Sequence, residues 1–198
     1  MNAQTDTGKV TGEYYLRGVM ETASGIKLNE DSTFEFFFSQ GALDRMGKGS
    51  WKKINNTIVL NSRPKPGTDF RMVASKQVPG NYITIQITGL PESLLQYMEA
   101  KIKTSRGDVF GEADNKGILR ITATDVKEIT LHFLICGERE SLYQIANSKH
   151  NYFEFTPEEW MPEVFCENLV LHLNEDGFVG AHPLLRGKEY TYVKSTRE

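Results

Sequence analysis

The chain has 198 residues, a formal net charge of −3 and 39% hydrophobic residues. This composition, with 11% aromatic residues, is typical of a folded globular protein of one domain or two small ones and excludes a disordered chain. No apolar run approaches the roughly 18 residues of a membrane-spanning helix, so no transmembrane segment is predicted. A pI near 5.9, without a basic block, argues against nucleic-acid binding.

The cysteines and the N-terminal residues are the features that relate to the cellular compartment of the protein. Cys136 and Cys166 stand in apolar stretches outside any CxxC motif, so we expect buried thiols. A single bridge between neighbouring strands is the alternative and requires an oxidising compartment. The polar residues 1–9 lack the apolar segment of a signal peptide. We therefore expect a periplasmic or secreted protein if a leader has been removed, and otherwise a cytoplasmic one.

Alternation of apolar and polar residues, typical of strands, dominates the first part of the chain. Turn-forming clusters at Asn29–Ser32 and Asn55–Asn56 separate the strand-like segments. These segments cover residues 14–20, 25–28, 33–39, 50–53, 57–60 and 70–74. Short strands at this spacing predict a small antiparallel β-meander or half-barrel over residues 10–77.

A second series of strands follows the break at Gln77–Asn81, which contains Pro79 and Gly80. An earlier break at residues 61–67 contains Pro64 and Pro66, which are excluded from paired central strands. We interpret that earlier break as a long connection within the first domain and place the predicted domain boundary at the second break. One helical turn is predicted at residues 91–96, and residues 140–146 have helical spacing but are short for a stable helix. The remaining alternation predicts a β-sandwich over residues 81–195, so the predicted fold class is all-β with little helix.

Motifs of known chemistry are missing from the sequence. It contains no GxSxG, HExxH, P-loop or GxGxxG pattern, so neither catalytic residues nor a cofactor is predicted. His132 and His172 each lie in an alternating strand and, if those strands pair, offer two metal ligands. No residue at a fixed spacing supplies a third ligand, so no metal site is predicted and exposed strand histidines are expected.

Five aromatic residues are the candidate ligand contacts. Phe34, Phe36 and Phe38 share one strand face because side chains alternate along a strand. With Trp51 they form either a plain core or the lining of an apolar pocket, as in small β-barrels that enclose a ligand. Trp160 follows two glutamates and either stacks on a ligand such as a sugar or is a half-buried loop residue.

Three apolar residues fall on strand faces that solvent should otherwise reach. They are Phe37 in the first predicted domain and Leu134 and Val170 in the second. The join at Gln77–Asn81 is too short to act as a flexible spacer. We therefore expect these three residues to form a domain interface that holds the two domains as one rigid body.

Two stretches resemble known families. The first stretch resembles the N-terminal part of uncharacterised bacterial envelope proteins and, more distantly, lipocalin-like β-meanders. The residues that carry this resemblance are Gly12–Gly18, Glu21–Ser24, Leu28, Asp31–Phe34, Gly41–Asp44, Gly49–Trp51 and Thr57–Leu60. Residues 82–136 resemble a prealbumin-like or carboxypeptidase-regulatory-like β-sandwich. That second resemblance rests on two strands and four turn residues, namely Ile83–Ile87, Ile129–Ile135, Gly107, Gly111, Asp114 and Gly117.

The resemblance implies a lipocalin-like first domain, a prealbumin-like second domain and the function of an accessory or binding module. Such sandwiches serve as accessory or binding modules, although a fold alone does not fix a function. The leading hypothesis is a non-catalytic binding module of the bacterial envelope that takes a small apolar ligand or a protein partner. One alternative is a carrier of a lipid or small apolar ligand in the first domain. The other is a hydrolase.

Overall fold

The computed structural model describes residues 10–41, 43–123, 125–187 and 189–196. Strands account for 55% of the structure and helices for 4%, which confirms the predicted all-β class with little helix. Within the described ranges, no helix has the length and apolar character needed to cross a membrane. The elements in chain order are β1 (Gly12–Arg17), β2 (Thr22–Leu28), β3 (Thr33–Gln40), β4 (Leu43–Ile54), β5 (Thr57–Asn61), β6 (Phe70–Lys76), β7 (Tyr82–Ile87), α1 (Glu92–Leu95), β8 (Met98–Thr104), β9 (Gly107–Glu112), β10 (Ile118–Thr122), β11 (Glu128–Phe133), a 3-10 turn (Leu134–Cys136), β12 (Glu140–Gln144), β13 (Tyr152–Pro157), β14 (Glu163–Val164), β15 (Leu169–Leu173), β16 (Gly177–Gly180) and β17 (Tyr190–Lys194).

The chain divides into two compact units at boundaries that differ from the predicted ones. The first unit combines the described residues up to Lys65 with those from Pro162 onward, and Pro66–Met161 form the second. The predicted division into 10–77 and 81–195 is therefore replaced by an insertion. Strand β6, placed in the meander by sequence, pairs with β13 of the inserted unit, and β15 to β17 return to the first unit.

The first unit is an eight-stranded antiparallel barrel. Its strands follow the order β4, β3, β2, β1, β17, β16, β15 and β5, and a β4–β5 pairing closes the sheet. The long β4 pairs with β5 over only its C-terminal part, and the short β14 lies parallel to its N-terminal part. Because the sheet closes on itself, few strand edges are left unpaired, and the barrel is protected from edge-to-edge pairing with other chains.

Local turn chemistry accounts for the hairpin of β2 and β3. Asp31 accepts hydrogen bonds from the backbone N–H and the hydroxyl of Thr33, at 2.9 and 2.6 Å. These bonds hold the pKa of Asp31 below its usual range. Ser32 adopts a φ of 65°, which the turn requires. The predicted hairpin between β2 and β3 is therefore confirmed, with Leu28 opposite Phe34.

The chain re-enters the barrel beside β4 through contacts of a buried arginine. Arg45 is 2% exposed, and its guanidinium donates hydrogen bonds to the backbone oxygens of Pro162 and Glu163, both at 3.2 Å. Glu163 also forms an ion pair with Arg63 at 3.0 Å. These contacts position β14 where β5 ends.

The inserted unit is a β-sandwich of two four-stranded sheets. One sheet has the order β10, β7, β13, β6, in which β7 and β13 run parallel, and the other has the order β12, β11, β8, β9. Their inner faces share one hydrophobic cluster that includes Ile85, Ile102, Ile129 and Phe153. A β-sandwich is thus present as predicted, but it ends at Met161 instead of extending to residue 195.

One arginine ties together the two ends of the inserted unit. The Arg139 guanidinium lies 3.1 Å from a carboxylate oxygen of Asp69, near the start of the insert. It also donates a hydrogen bond to the backbone oxygen of Met161, at the end of the insert. The backbone N–H of Asp69 donates to the Ser141 hydroxyl at 2.9 Å. The contacts hold the entry and exit segments together, as an insertion into a barrel connection requires.

Candidate functional site

The predicted aromatic stripe lies inside the barrel. Phe34, Phe36 and Phe38 are at most 3% exposed and pack with Trp51 in one hydrophobic cluster. The Trp51 indole N–H donates to the backbone oxygen of Asn29 at 3.0 Å, which fixes the β2–β3 turn. The structure gives these residues a packing role, and their role as ligand contacts stays a prediction.

Trp160 does not belong to this cluster, because it lies in the inserted unit. It is partly buried, and its indole N–H donates to the backbone oxygen of Thr68 at 3.1 Å. This bond links the same two ends of the insert that Arg139 ties together. The five candidate ligand residues therefore do not form one cluster within a single unit.

The predicted interface residues are divided differently from the expectation. Phe37 and Val170 both belong to the barrel, and only Leu134 belongs to the inserted unit. The assignment of Val170 to the second domain was wrong because β15 pairs with β5 of the barrel. Val170 and Leu134 are 40% and 45% exposed. The interface itself stays a prediction.

Phe37 forms the centre of an apolar row on the outer face of the barrel. The strand register places Tyr15 opposite Gly25, Gly25 opposite Phe37, and Phe37 opposite Met46. The Phe37 ring lies over Gly25, where an added Cβ would meet the ring at 2.6 Å. The rings of Tyr15 and Phe37 stand 6.1 Å apart at 64°. Glycine is required here by this close approach, since no side chain fits beneath the ring.

Tyr15, Phe37 and Met46 of this row line a depression of about 210 Å³, which we call the barrel-face groove. Met46 at its rim is 67% exposed, and Tyr15 and Phe37 are partly exposed. The next row across the strands alternates in charge, in the order Glu13, Lys27, Glu35 and Lys48. The groove therefore has an apolar centre and a rim that offers charges of both signs.

Tyr15 also borders a second hollow on its other side. This hollow has a volume of about 460 Å³ and is lined by Arg17, Val193 and Lys194, among others. The Tyr15 hydroxyl donates a hydrogen bond to the Glu13 carboxylate at 2.7 Å. Tyr15 thus separates two depressions along one continuous outer face.

A serine and a histidine meet inside the barrel and resemble a nucleophile–base pair. His182 Nε2 lies 3.1 Å from the Ser24 hydroxyl. The Ser24 hydroxyl also lies 2.7 Å from the Phe37 backbone oxygen, to which it can only donate. His182 Nδ1 accepts from the backbone N–H groups of Leu184 and Leu185 at 3.0 and 3.1 Å. The proton therefore resides on Nε2, which donates to Ser24 and cannot deprotonate it.

The surroundings of His182 keep its ring neutral. The imidazole is 5% exposed and lies near the rings of Phe36, Phe38 and Tyr192. Burial lowers the pKa of His182 to about 4. Burial of the ring and the hydrogen bonds that it accepts from Leu184 and Leu185 give His182 a structural role inside the barrel.

Neither cysteine is placed for chemistry. Cys136 and Cys166 are free and buried, and they lie in different units, so the alternative of a bridge between neighbouring strands is not realised. Burial raises the pKa of the Cys166 thiol to about 12, and this effect outweighs the opposite effect of a hydrogen bond with Ser62. A protonated buried thiol is a weak nucleophile.

The two strand histidines lie in different units. His132 lies on β11 of the inserted unit and His172 on β15 of the barrel. His172 is exposed, as expected, whereas His132 is partly exposed and lies 3.7 Å from a Glu99 carboxylate oxygen. Residues 10–41, 43–123, 125–187 and 189–196 include no cluster of three or more side chains suited to a metal.

Sequence reasoning found one member of the groove and missed the others. Phe37 stands out because a large apolar residue faces the wet side of a strand. Gly25, Tyr15 and Met46 carry no such signal alone. The hairpin register that puts Leu28 opposite Phe34 also puts Gly25 opposite Phe37. Extending the predicted turn along both strands would have identified the pair.

No family model matches the chain, and no curated protein or solved structure shows significant similarity to it. The resemblance to bacterial envelope proteins therefore stays a prediction.

Proposed function

We propose that this protein is a non-catalytic binding module and that a partner protein docks on the barrel-face groove. The observation that carries the proposal is the apolar row Tyr15, Phe37 and Met46, which stands on a solvent-facing side of the barrel. An apolar centre enclosed by a polar rim is the usual anatomy of a protein–protein contact.

The size of the groove indicates what enters it. Its volume of about 210 Å³ is smaller than the roughly 300 Å³ at which small-molecule pockets begin. One apolar side chain of a partner fits this space, whereas a lipid tail needs a longer apolar channel. Glu13, Lys27 and Glu35 line the same groove and offer ion pairs to residues that flank the inserted side chain.

The packed barrel interior supports a surface module over a ligand carrier. Phe34 and Phe36 are each 1% exposed, and both belong to the hydrophobic cluster that Trp51 and Phe178 complete. A carrier would have to displace these rings to admit a ligand. Truncating one buried Phe costs about 3–5 kcal/mol, and a ligand that displaced the rings would have to offset a cost of this kind.

The Ser24–His182 geometry supports a non-catalytic protein over a hydrolase. A nucleophilic serine needs a base whose unprotonated nitrogen faces the hydroxyl. His182 presents its protonated nitrogen instead, because two backbone N–H groups occupy the other one.

An envelope location is part of the proposal and rests on the resemblance alone. Immunoblotting of periplasmic and cytoplasmic fractions, with the gene expressed behind its natural upstream sequence, tests it. Recovery in the cytoplasmic fraction would contradict it.

Peptide selection tests the proposed docking. A phage-displayed random peptide library is selected on the full chain, and the enriched peptides are assayed against Phe37→Lys. Val170→Lys is the matched control, because it places the same charge on an exposed apolar residue of the same barrel. We expect an apolar residue shared by the peptides and at least about tenfold weaker binding to Phe37→Lys, since burying one apolar side chain stabilises by about 1.5–3 kcal/mol. Peptides that bind Phe37→Lys and the wild type equally would contradict the proposal.

A further inference from the structure

The inserted sandwich has an edge strand with the features of a docking site. In the described part of the chain, β9 pairs with β8 and with no strand on its other side. Phe110, in the middle of β9, is 73% exposed. A depression of about 520 Å³ lies beside it, lined also by Glu99 and Glu112. An edge strand that exposes a large apolar residue is a site where another strand can pair.

The hydrogen-bond pattern shows which backbone groups face the open edge. The Ala113 N–H donates to the Met98 backbone oxygen at 2.9 Å, so this pair is hydrogen-bonded. Antiparallel partners alternate between hydrogen-bonded and non-hydrogen-bonded pairs. The N–H and C=O groups of Asp108, Phe110 and Glu112 therefore point away from β8.

The side chains of the same three residues project on the outer face of the sheet. All three are exposed, while Val109 between them packs against the sandwich core. An added antiparallel strand would bond to the backbone of Asp108, Phe110 and Glu112 and place its own alternate residues beside their side chains.

The cross-strand pairs on this face define a charge requirement. Asp108 lies opposite Lys103, so its charge has a partner of opposite sign. Glu112 lies opposite Glu99 in a non-hydrogen-bonded pair, the type with the closest side chains. Like charges directly opposite are destabilising, and a cation beside Glu112 would relieve the repulsion.

We infer that β9 binds an extended segment of a partner protein by antiparallel strand addition, and that the segment carries a basic–x–apolar–x–basic pattern. The basic residues lie beside Glu112 and Asp108, and the apolar residue lies beside Phe110. This site belongs to the inserted unit and is independent of the function proposed for the barrel.

Charge disfavours a second copy of this chain as the occupant. Antiparallel pairing of two β9 strands centred on Phe110 would place Asp108 of each copy opposite Glu112 of the other. Two such like-charge contacts oppose the dimer, whereas a basic segment meets both carboxylates favourably.

Peptide titration of the ¹⁵N-labelled full chain tests the inference. The probe is the peptide Thr-Lys-Thr-Phe-Thr-Lys-Thr, and its charge control replaces both lysines with glutamate. We expect saturable shifts of the amide protons of Asp108, Phe110 and Glu112, larger than those of Val109 and Gly111. The glutamate peptide should bind at least about tenfold more weakly, because attractions at two sites become repulsions.

Two matched variants separate strand addition from charge attraction. N-methylation of the peptide's phenylalanine and lysines removes the donors that would face β9 and should weaken binding at least about tenfold. N-methylation of the two threonines between them blocks only outward donors and should leave binding unchanged. In the protein, Glu112→Lys should weaken binding of the lysine peptide and strengthen binding of the glutamate peptide.

Three results would overturn the inference. The first is equal binding of the two N-methylated peptides, and the second is equal binding of the lysine and glutamate peptides. The third is a concentration-dependent dimer in sedimentation velocity that Glu112→Lys alters, since the occupant would then be a second copy.

Discussion

In the barrel, β4 pairs with both β3 and β5, so the main sheet closes on itself and its backbone donors and acceptors are used internally. In the inserted sandwich, two open sheets leave β9 with a free side among the described strands. The contrast determines where each unit can contact another molecule. The barrel offers side chains on its outer face, at the Phe37 row, whereas the sandwich offers a backbone edge at β9.

The largest effect we predict separates core packing from pocket lining in the barrel. Phe36→Ala should lower the free energy of unfolding by about 3–5 kcal/mol, because the ring is 1% exposed and its removal leaves a cavity. Urea denaturation measures the change. A loss below about 1 kcal/mol would indicate that Phe36 lines an open pocket and would favour the carrier alternative.

The second prediction concerns the buried His182 and the pH dependence of the free energy of unfolding. Its pKa is about 4 in the folded barrel and near 6.5 in the unfolded chain, so the unfolded chain binds the proton more tightly. The contribution of His182 to the free energy of unfolding should therefore be constant above about pH 6.5 and should fall as the pH drops toward about 4. The total loss should be on the order of 3 kcal/mol.

Urea denaturation across this pH range measures the effect, and two variants isolate it. His182→Asn keeps an oxygen that can accept the 184 backbone N–H as an Asx turn does, but it cannot titrate. Its stability should vary less with pH than that of the wild type. His172→Gln is the control because His172 is exposed on the same barrel. A wild-type pH dependence retained in full by His182→Asn would contradict the assignment.

The third prediction addresses the packing of Gly25 beneath the Phe37 ring. Gly25→Ala should cost about 1–3 kcal/mol, because the new Cβ would lie 2.6 Å from the Phe37 ring and 2.8 Å from the Tyr14 backbone oxygen. Thermal and urea unfolding measure the cost. Gly67→Ala is the control, since its Cβ would meet nothing within 4 Å, and it should change stability by less than about 0.5 kcal/mol. Equal effects of the two substitutions would contradict the packing described for Phe37.

The smallest effect sharpens the contrast at the sandwich edge. Glu112→Lys should stabilise the inserted unit by about 0.2–1 kcal/mol, because a like-charge pair with Glu99 becomes an attractive one. Asp108→Lys should destabilise it by a similar amount, since Asp108 lies opposite Lys103. Chemical denaturation at low salt resolves the two signs. The same sign for both substitutions would contradict the register of β8 and β9.

Local chemistry explains which parts of the fold the sequence could reveal. The turn at Asn29–Ser32 and the alternation around Phe36 are encoded by neighbouring residues, so the hairpin of β2 and β3 was predicted correctly. The insertion depends on β6 pairing with β13 and on β15 pairing with β5, across long separations. Alternation shows that a segment is a strand but does not name its partner, so the boundary at Pro66 was missed.

The candidate sites likewise divide into features that the local sequence indicates and features that depend on long-range strand pairing. Phe37 was identified from the sequence because its apolar side chain breaks the local pattern. The groove around Phe37 needs the register of four strands, and the β9 edge needs the sheet order. The Ser24–His182 contact joins residues 158 positions apart, and nothing in their local sequence indicates it.

The methyl signal of Met46 provides the most direct test of the central claim, that the barrel-face groove accepts an apolar side chain. The full chain, labelled with [¹³C-methyl]methionine, is titrated with N-acetyl-phenylalanine amide and N-acetyl-leucine amide. Met20, which is 89% exposed on the same barrel, is the internal control. We predict saturable shifts of the Met46 methyl that Met20 does not show and that Phe37→Lys abolishes. Parallel, non-saturating shifts of both methyl signals, unchanged by Phe37→Lys, would contradict the claim.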